Sequence, residues 1–597
     1  MARSVSSVSD HGSQTEQPND VDSLKSDIEK QDAHTKDTEF QPGAKIKPPE
    51  GPLESQYAPK TLKFWLIMAC NFLSLFIVAL DRTILTTAIP RITDDFNSLG
   101  DIGWYGSAYM LTSATSQLAF GRIYKFYNMK WVFLASIIVF EIGSAVCGAA
   151  PTSNAFIAGR AIAGFASAGV FSGCMLIIIP MVPLHKRPMF QACFGAVFAI
   201  ASVMGPLIGG AFTSGVTWRW CFYINLPIGA VTWVFMLLVW HPKKVVHEPA
   251  PVTTHVKRLD PLGTLFLVPA IVCLLLAFQW GGSTYSWSNG RIIALFVLFG
   301  VLFMAFIAVQ LLMPNTATIP ARVITQRSIL CSATFTFCAS SSMMMIIYYI
   351  PIWFQTVKLV NPIHSGIYTL PFVLALVAAS FVSGAVTQKI GYYVPTMMLS
   401  PCVMAVGLGL MSTFQLDTGS PHWIGYQFLS GFGLGLGMQT SGLVVQRILP
   451  MTDVSTGIAI MFFVQQLGGC IFTTVGQAIL SNMLVSELTG IPGINPSMIV
   501  NQGATKLVSI VTSGDIVIVQ RAYNKACTRI FLASLGLVFG ALISSLGVEW
   551  KNIKKGKNGQ DAPTGPGAND SGESKDNEHN VSEDKKNGSE KTEQKSP

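Results

Sequence analysis

Between residues 61 and 550 the chain alternates long apolar runs with short polar stretches that carry most of the basic side chains. A bilayer core about 30 Å thick is crossed by a helix of roughly 20 apolar residues. On that rule a first series of spans lies near 63–88, 104–121, 131–150, 155–182, 190–213 and 220–240. A second series lies near 261–281, 290–313, 329–354, 364–386, 395–414, 423–446, 455–484 and 529–549. The pattern predicts an all-α integral membrane protein of about fourteen spans. The expected division is a tail over 1–60, a six-helix bundle over 61–240 and a linker with spans 7 and 8 over 241–328. A second six-helix bundle then covers 329–550, with an outer loop at 485–528, and a tail covers 551–597.

Composition sharpens this picture. Only 12% of the 597 residues are charged, against about 25% in soluble proteins. Outside the two tails, residues 61–550 hold just 12 acidic and 24 basic side chains. The tails are rich in Ser, Asn, Asp, Glu and Lys, and cannot bury enough apolar surface to offset their ordering entropy. No apolar core follows the first methionine, so the first span is expected to serve as the insertion signal. The net charge is +8, but the basic residues sit in short loops between apolar runs, which excludes nucleic acid as the expected partner. Eleven cysteines are scattered singly, without a CxxC pair, and read as small packing residues. Neither a metal nor a cofactor is expected, and no nucleophile–base pair or nucleotide loop supports an enzyme.

Sidedness follows from Lys and Arg in the short loops. With the N-terminus inside, the inner loops hold thirteen such residues, from Arg122, Lys125 and Lys130 to Lys389 and Arg447. The short outer loops hold four: Arg91, Arg219, Arg291 and Lys358. Both tails are therefore expected in the cytoplasm. Two inner loops also echo each other. GRIYKFYNMKW starts at Gly121 after span 2, and GAVTQKIGYYVP starts at Gly384 after span 10, with turns at Asn128 and Gly391. Such internal repeats are common in secondary transporters.

Ionisable groups inside spans point to chemistry, because each needs a partner or a wet cavity. Two carboxylates lie well inside, Asp81 in span 1 and Glu141 in span 3, and Arg160 lies deep in span 4. Arg82 follows Asp81, nearer the outer end. Asp81 and Arg160 are expected to pair, either as a fixed ion pair that locks two helices or as a proton-carrying couple. Glu141 is either a structural hydrogen-bonding group or a second proton site. Span 5 carries Gly205, Pro206, Gly209 and Gly210; Gly205 and Gly209 share one face and permit close backbone approach, and Pro206 favours a bend. Tyr348, Trp353, Gln439, Gln465 and Gln466 either line an amphiphilic pocket or face lipid and neighbouring helices; the sequence leaves this open.

These motifs resemble those of the major facilitator superfamily, and closely those of its fungal fourteen-spanner drug:proton antiporters. LDRTILTTAIPRI, with Asp81, Thr83 and Pro90, is similar to the family's span 1 motif. The loop from Gly121 to Lys130 resembles its inner signature loop, with Lys125 where Asp is usual and Asn128 where Gly is usual. GRAIAGFASAG, ASVMGPLIGGAF and WRWCFYINLPIG resemble its span 4 motif, its antiporter motif (Ala201 in the first Gly place) and its turn into span 6. The likeness covers about 62–550. It implies two bundles rocking around a midplane cavity, proton coupling through Asp81, Arg160 and Glu141, and gating by Gly121, Lys125 and Lys130. The expected function is efflux of small amphiphilic molecules such as toxins, secondary metabolites or drugs by a monomer in the plasma membrane, with a vacuolar or other internal membrane as the alternative. An importer of the same fold, for a siderophore or nutrient, and a non-transporting sensor are the rival readings.

The topology has a direct check. The C-terminal tail carries three N-x-S sites, at Asn569, Asn580 and Asn587. A cytoplasmic tail leaves all three unglycosylated; an endoglycosidase-sensitive mass shift mapped to the tail would overturn the assignment.

Overall fold

The computed structural model describes residues 59, 61–96, 98, 101–242, 258–282, 285–314, 316–489, 491 and 516–554. The expected tails at 1–60 and 551–597 fall almost wholly outside these residues, as do Lys243, Lys244 and Lys257 and the three N-x-S sites. Fourteen long helices are described, numbered here like the expected spans. They are α1 Leu62–Phe96, α2 Ile102–Phe126, α3 Met129–Ala149, α4 Ser153–Met181, α5 Arg187–Gly215, α6 Asn225–Val239, α7 Pro261–Trp280 and α8 Gly290–Leu312. They continue with α9 Arg327–Val357, α10 Leu370–Ile390, α11 Val394–Met411, α12 Ser420–Gly437, α13 Val454–Leu488 and α14 Ile516–Leu546.

Thirteen of the spans are long and apolar enough to cross a membrane by composition alone, and α2 is the exception. Its hydroxyl and amide groups lower its hydropathy, and several of them are satisfied inside the protein. Thr112 and Thr115 donate back to Ala108 O and Leu111 O, each at 2.9 Å. Gln117 Nε2 donates to Ser172 Oγ of α4 at 2.5 Å. A membrane helix tolerates such groups when neighbours or its own backbone accept them.

Helices α1–α6 pack as one bundle and α9–α14 as another, while α7 and α8 pair with each other. Helix α7 also touches α2 of the first bundle and α13 of the second. Arg122 at the inner end of α2 ties this pair down. Its Nε donates to Arg258 O at 3.0 Å, and its Nη1 donates to Ala317 O at 2.5 Å. Asp260 caps α7 from a left-handed backbone, φ 52°, and accepts from Gly263 N, Gln310 Nε2, Thr318 N and Thr318 Oγ1 at 2.7–2.9 Å.

Helix α14 corrects one expectation. It starts at Ile516, inside the expected outer loop 485–528, and α13 reaches Leu488. The polar residues that made this segment read as loop bind neighbouring helices instead. Gln520 Nε2 donates to Val357 O, and Asn524 Nδ2 to Phe414 O, both at 2.9 Å.

The echoing glycines lie at the two inner contacts between bundles. A Cβ on Gly121 would collide with Ala459 of α13, and one on Gly384 would lie 2.9 Å from Pro188 O of α5. Gly391 ends α10 with φ 86°, a conformation that favours glycine. Helix α5 runs unbroken through Pro206. Gly205 and Gly209 abut Thr83 and Thr87 of α1, whereas Gly210 has no such neighbour within 4 Å. Gly210 lies one residue off the face that meets α1. Thr83 Oγ1 donates to Ala201 O at 2.9 Å across the same seam.

This seam predicts contrasting behaviour for two leucine variants. Gly205→Leu is expected to insert but to lose about 1–3 kcal/mol through overpacking, with export abolished. Gly210→Leu is expected to keep the thermal midpoint and the export rate of the parent. Equal tolerance of both in a thermal-shift and export assay would refute the packing argument.

Candidate functional site

The charged centre lies inside the first bundle. Arg160 of α4 donates from Nη1 to Asp81 Oδ2 of α1 at 2.6 Å, and from Nε to Tyr105 O at 3.0 Å. Its guanidinium also stands 4.5 Å from the Tyr109 ring centroid. Asn225 at the start of α6 donates to Asp81 Oδ1 at 3.4 Å and to Ser144 Oγ at 3.2 Å. Both charged side chains are sealed, with exposures of 2% for Arg160 and 0% for Asp81. Charges so deeply buried persist only when paired and hydrogen-bonded.

Glu141 of α3 lies within electrostatic reach of Asp81. Both of its carboxyl oxygens are buried without a hydrogen-bond partner. A Cβ on Gly229 of α6 would overlap that carboxyl group, so the glycine in the turn-and-helix motif makes room for the acid. An ionised carboxylate here would carry an uncompensated charge in an apolar wall; a protonated one matches its surroundings.

The inner face is held by a second charge cluster. Lys125 donates to Asp453 Oδ1 at 2.7 Å, and Arg322 reaches the same oxygen at 3.1 Å. Asp453 immediately precedes α13, so the basic residue of the signature loop meets an acid on the opposite bundle. Nearby, Arg187 Nη1 donates to Gln446 Oε1 at 3.0 Å. Deeper in, Phe171 of α4 meets Phe462 of α13 edge-on, centroids 4.3 Å apart. Lys130 does not join this cluster. Its Nζ donates to Leu237 O at 2.7 Å and so caps α6 within its own bundle.

The expected pocket residues separate. Tyr348 is 43% exposed and lies within the electrostatic reach of Arg82 on the opposite bundle. Gln465 and Gln466 are half-buried on α13, a short way inward of Cys470, which Arg82 also reaches. Gln439 lines a small cavity with Pro188, Ser380 and Thr440 at the α5–α10 contact, nearer the inner face. Trp353 is not a pocket residue. It is fully buried, packs 4.6 Å from Phe414 and donates from Nε1 to Asn524 Oδ1 at 2.7 Å. Five residues of a 3.6-residue helix turn it far from Tyr348. Asp453, Arg122, Asp260 and Asn225 escaped the sequence reading, because polar residues at helix ends are ordinary.

Two helical bundles, with a buried ion pair in one and a charge latch between them at their inner ends, make up the candidate site. The Major Facilitator Superfamily profile matches residues 72–319. The chain is 47% identical to the MFS-type transporter VdtG of Byssochlamys spectabilis, over 88% of this chain and 94% of the relative. It is 48% identical to the MFS-type efflux pump MFS1 of Arthroderma benhamiae, over 83% and 92% respectively. Among solved structures it resembles the human organic anion transporter MFSD10, at 15% identity and TM-score 0.50, covering 80% of this chain and 99% of that one; this likeness speaks to the fold alone. The chain belongs to the major facilitator superfamily. It is a multi-pass membrane transporter and not an enzyme.

The latch predicts an order of damage. Lys125→Met leaves Asp453 with Arg322, whereas Asp453→Asn strands the largely buried Lys125 ammonium. Breaking a buried pair on the side that leaves the charge behind costs about 3–5 kcal/mol, so Asp453→Asn should lower the thermal midpoint more. The reverse order would show that charge balance does not hold this face together.

Proposed function

We propose that this transporter exports small amphiphilic molecules, such as toxins, secondary metabolites or drugs, across the plasma membrane in exchange for protons. The bundles over 61–240 and 329–550 rock about a midplane cavity, with both tails in the cytoplasm. The observation that carries the coupling is the juxtaposition of a sealed Asp81–Arg160 pair at 2.6 Å with Glu141, whose carboxyl has no partner. Export as the direction is supported by the relative named an efflux pump. Small molecules of this kind and protons are the partners in this reading.

Glu141 holds the proton in the arrangement described, and Asn225 with Ser144 links its neighbourhood to Asp81. When the cavity faces the acidic side, a proton reaches the acid pair; when it faces the cytoplasm, release frees the site for substrate. One proton moving down 100 mV supplies ~2.3 kcal/mol. That sustains a substrate gradient of roughly fifty-fold at ~1.4 kcal/mol per decade. An importer would run the same cycle with substrate and proton moving together, and net accumulation by whole cells would distinguish it.

The two acids should answer differently to neutral isosteres. Glu141→Gln replaces a protonated acid by an amide of the same shape, so thermal stability should hold while pH-driven uphill export is lost. Asp81→Asn leaves Arg160 uncompensated, at about 3–5 kcal/mol, and should lower both abundance and coupling. Adding Arg160→Gln to Asp81→Asn should restore abundance without uphill export. Uphill, pH-driven export in proteoliposomes by a well-folded Glu141→Gln and Asp81→Asn protein would end the proton assignment.

A further inference from the structure

Arg82 is a described cation at membrane depth that belongs neither to the inner latch nor to the buried pair. It follows Asp81 on α1 but turns away from it, towards α2 and the opposite bundle. Its Nη2 lies 3.4 Å from Ser113 Oγ, a long contact, and its guanidinium stands 5.3 Å from the Tyr109 ring centroid. Its buried Nε has no hydrogen-bond partner. Among the described residues every ion pair involves other side chains, so no carboxylate neutralises Arg82. The Asp81 carboxylate is already held by Arg160 and Asn225.

On the far side, the charge of Arg82 reaches Tyr348 of α9 and Cys470 of α13. Helices α9–α14 contain a single carboxylate, Glu487, next to the outer end of α13, and it pairs with Lys525. The second bundle thus offers a phenol and two amides, Gln465 and Gln466, but no negative charge at this depth. Further inward, Phe171 packs against Phe462 and Phe198, with centroids 4.3 and 5.7 Å away. Phe462 is eight residues inward of Cys470, roughly 12 Å at 1.5 Å per residue.

We infer that Arg82 is the counter-charge for the substrate, and that the site beside it takes aromatic monoanions, carboxylates or acidic phenolates. The anion meets the guanidinium fork, which suits planar oxygen pairs. The ring body lies along Gln465 and Gln466 towards the Phe171–Phe462 floor. An unpaired arginine at membrane depth is costly when the site is empty, and an anionic ligand removes that cost. This inference rests on the transport reading, and names the substrate class of that site.

The probes are 6-hydroxy-2-naphthoate and its neutral partner 6-hydroxy-2-naphthamide, bound to the full chain in phosphatidylcholine nanodiscs at pH 7.5. The unaltered protein should bind the naphthoate on the order of tenfold more tightly, the range of a charge-assisted hydrogen bond. Arg82→Gln should abolish that preference, and Arg82→Lys should retain part of it. A preference that survives Arg82→Gln, or no preference in the unaltered protein, overturns the inference. Should Arg82→Gln fail to fold, the unaltered protein reads the same question through Cys470, monitored by mass spectrometry. Naphthoate should slow its thiol labelling at least several-fold more than naphthamide, and equal protection overturns the proposal. Metabolite retention by cells lacking the gene tests transport separately. Anion preference without export would sink the efflux reading alone, and export without anion preference would sink this one alone.

Discussion

Inside a bilayer no water stands ready to satisfy a polar group, so each one must find its partner within the protein. The structure is organised by that demand. Ser74, Ser136 and Thr356 turn back to carbonyls one helical turn away, at 2.8–2.9 Å. Lys130 and Arg122 reach the carbonyls at the ends of other segments, where the backbone has unsatisfied acceptors. Arg160 needs more than one partner, and takes a carboxylate, a carbonyl and an aromatic face. Glu141 and Arg82 depart from that demand, as do the buried Gln191 amide and the indole N–H groups of Trp233 and Trp240, but among the described acidic and basic side chains it is Glu141 and Arg82 that do so.

The span pattern was readable because membrane thickness fixes the length of an apolar run. Asp81, Arg160 and Glu141 were readable because a charge inside such a run is conspicuous. Which face a residue occupies was not readable, since these helices are apolar nearly all round. Tyr348 and Trp353 could not be told apart for that reason, yet one faces the opposite bundle and the other is core. Asp453 and Arg122 gave no signal, because charges at span ends are commonplace. Their partners lie far along the chain; Arg122 and Ala317 are 195 positions apart. The start of α14 was hidden by Gln520 and Asn524, polar side chains that cap neighbouring helices. For Gly229 a signal did exist, in its motif, but only the structure shows that Glu141 occupies the space it leaves.

The two bundles are alike in helix order and unlike in chemistry. The first holds the buried pair, the lone acid and Arg82. The second presents hydroxyls, amides and aromatic rings, with Ser342 and Ser534 joined at 2.5 Å in its core. Among the described residues, charge is thus concentrated in the first bundle, and uncharged polar and aromatic side chains in the second.

This division also bears on how the bundles can part. The Asp81–Arg160 pair lies within one bundle, so rocking one bundle against the other leaves it intact. The contacts without hydrogen bonds are apolar, Phe171 on Phe462 at depth and Gly121 on Ala459 nearer the inner end. Separating them strands no hydrogen bond. The polar contacts between bundles, Lys125 with Asp453 and Arg187 with Gln446, lie at the inner end, where parting admits water to both partners. A charge released there is hydrated, and the penalty of an uncompensated buried ion never arises. The latch can therefore be tight when shut and still be cheap to open, because its ions sit at the water boundary while those that could not survive separation sit where no separation occurs.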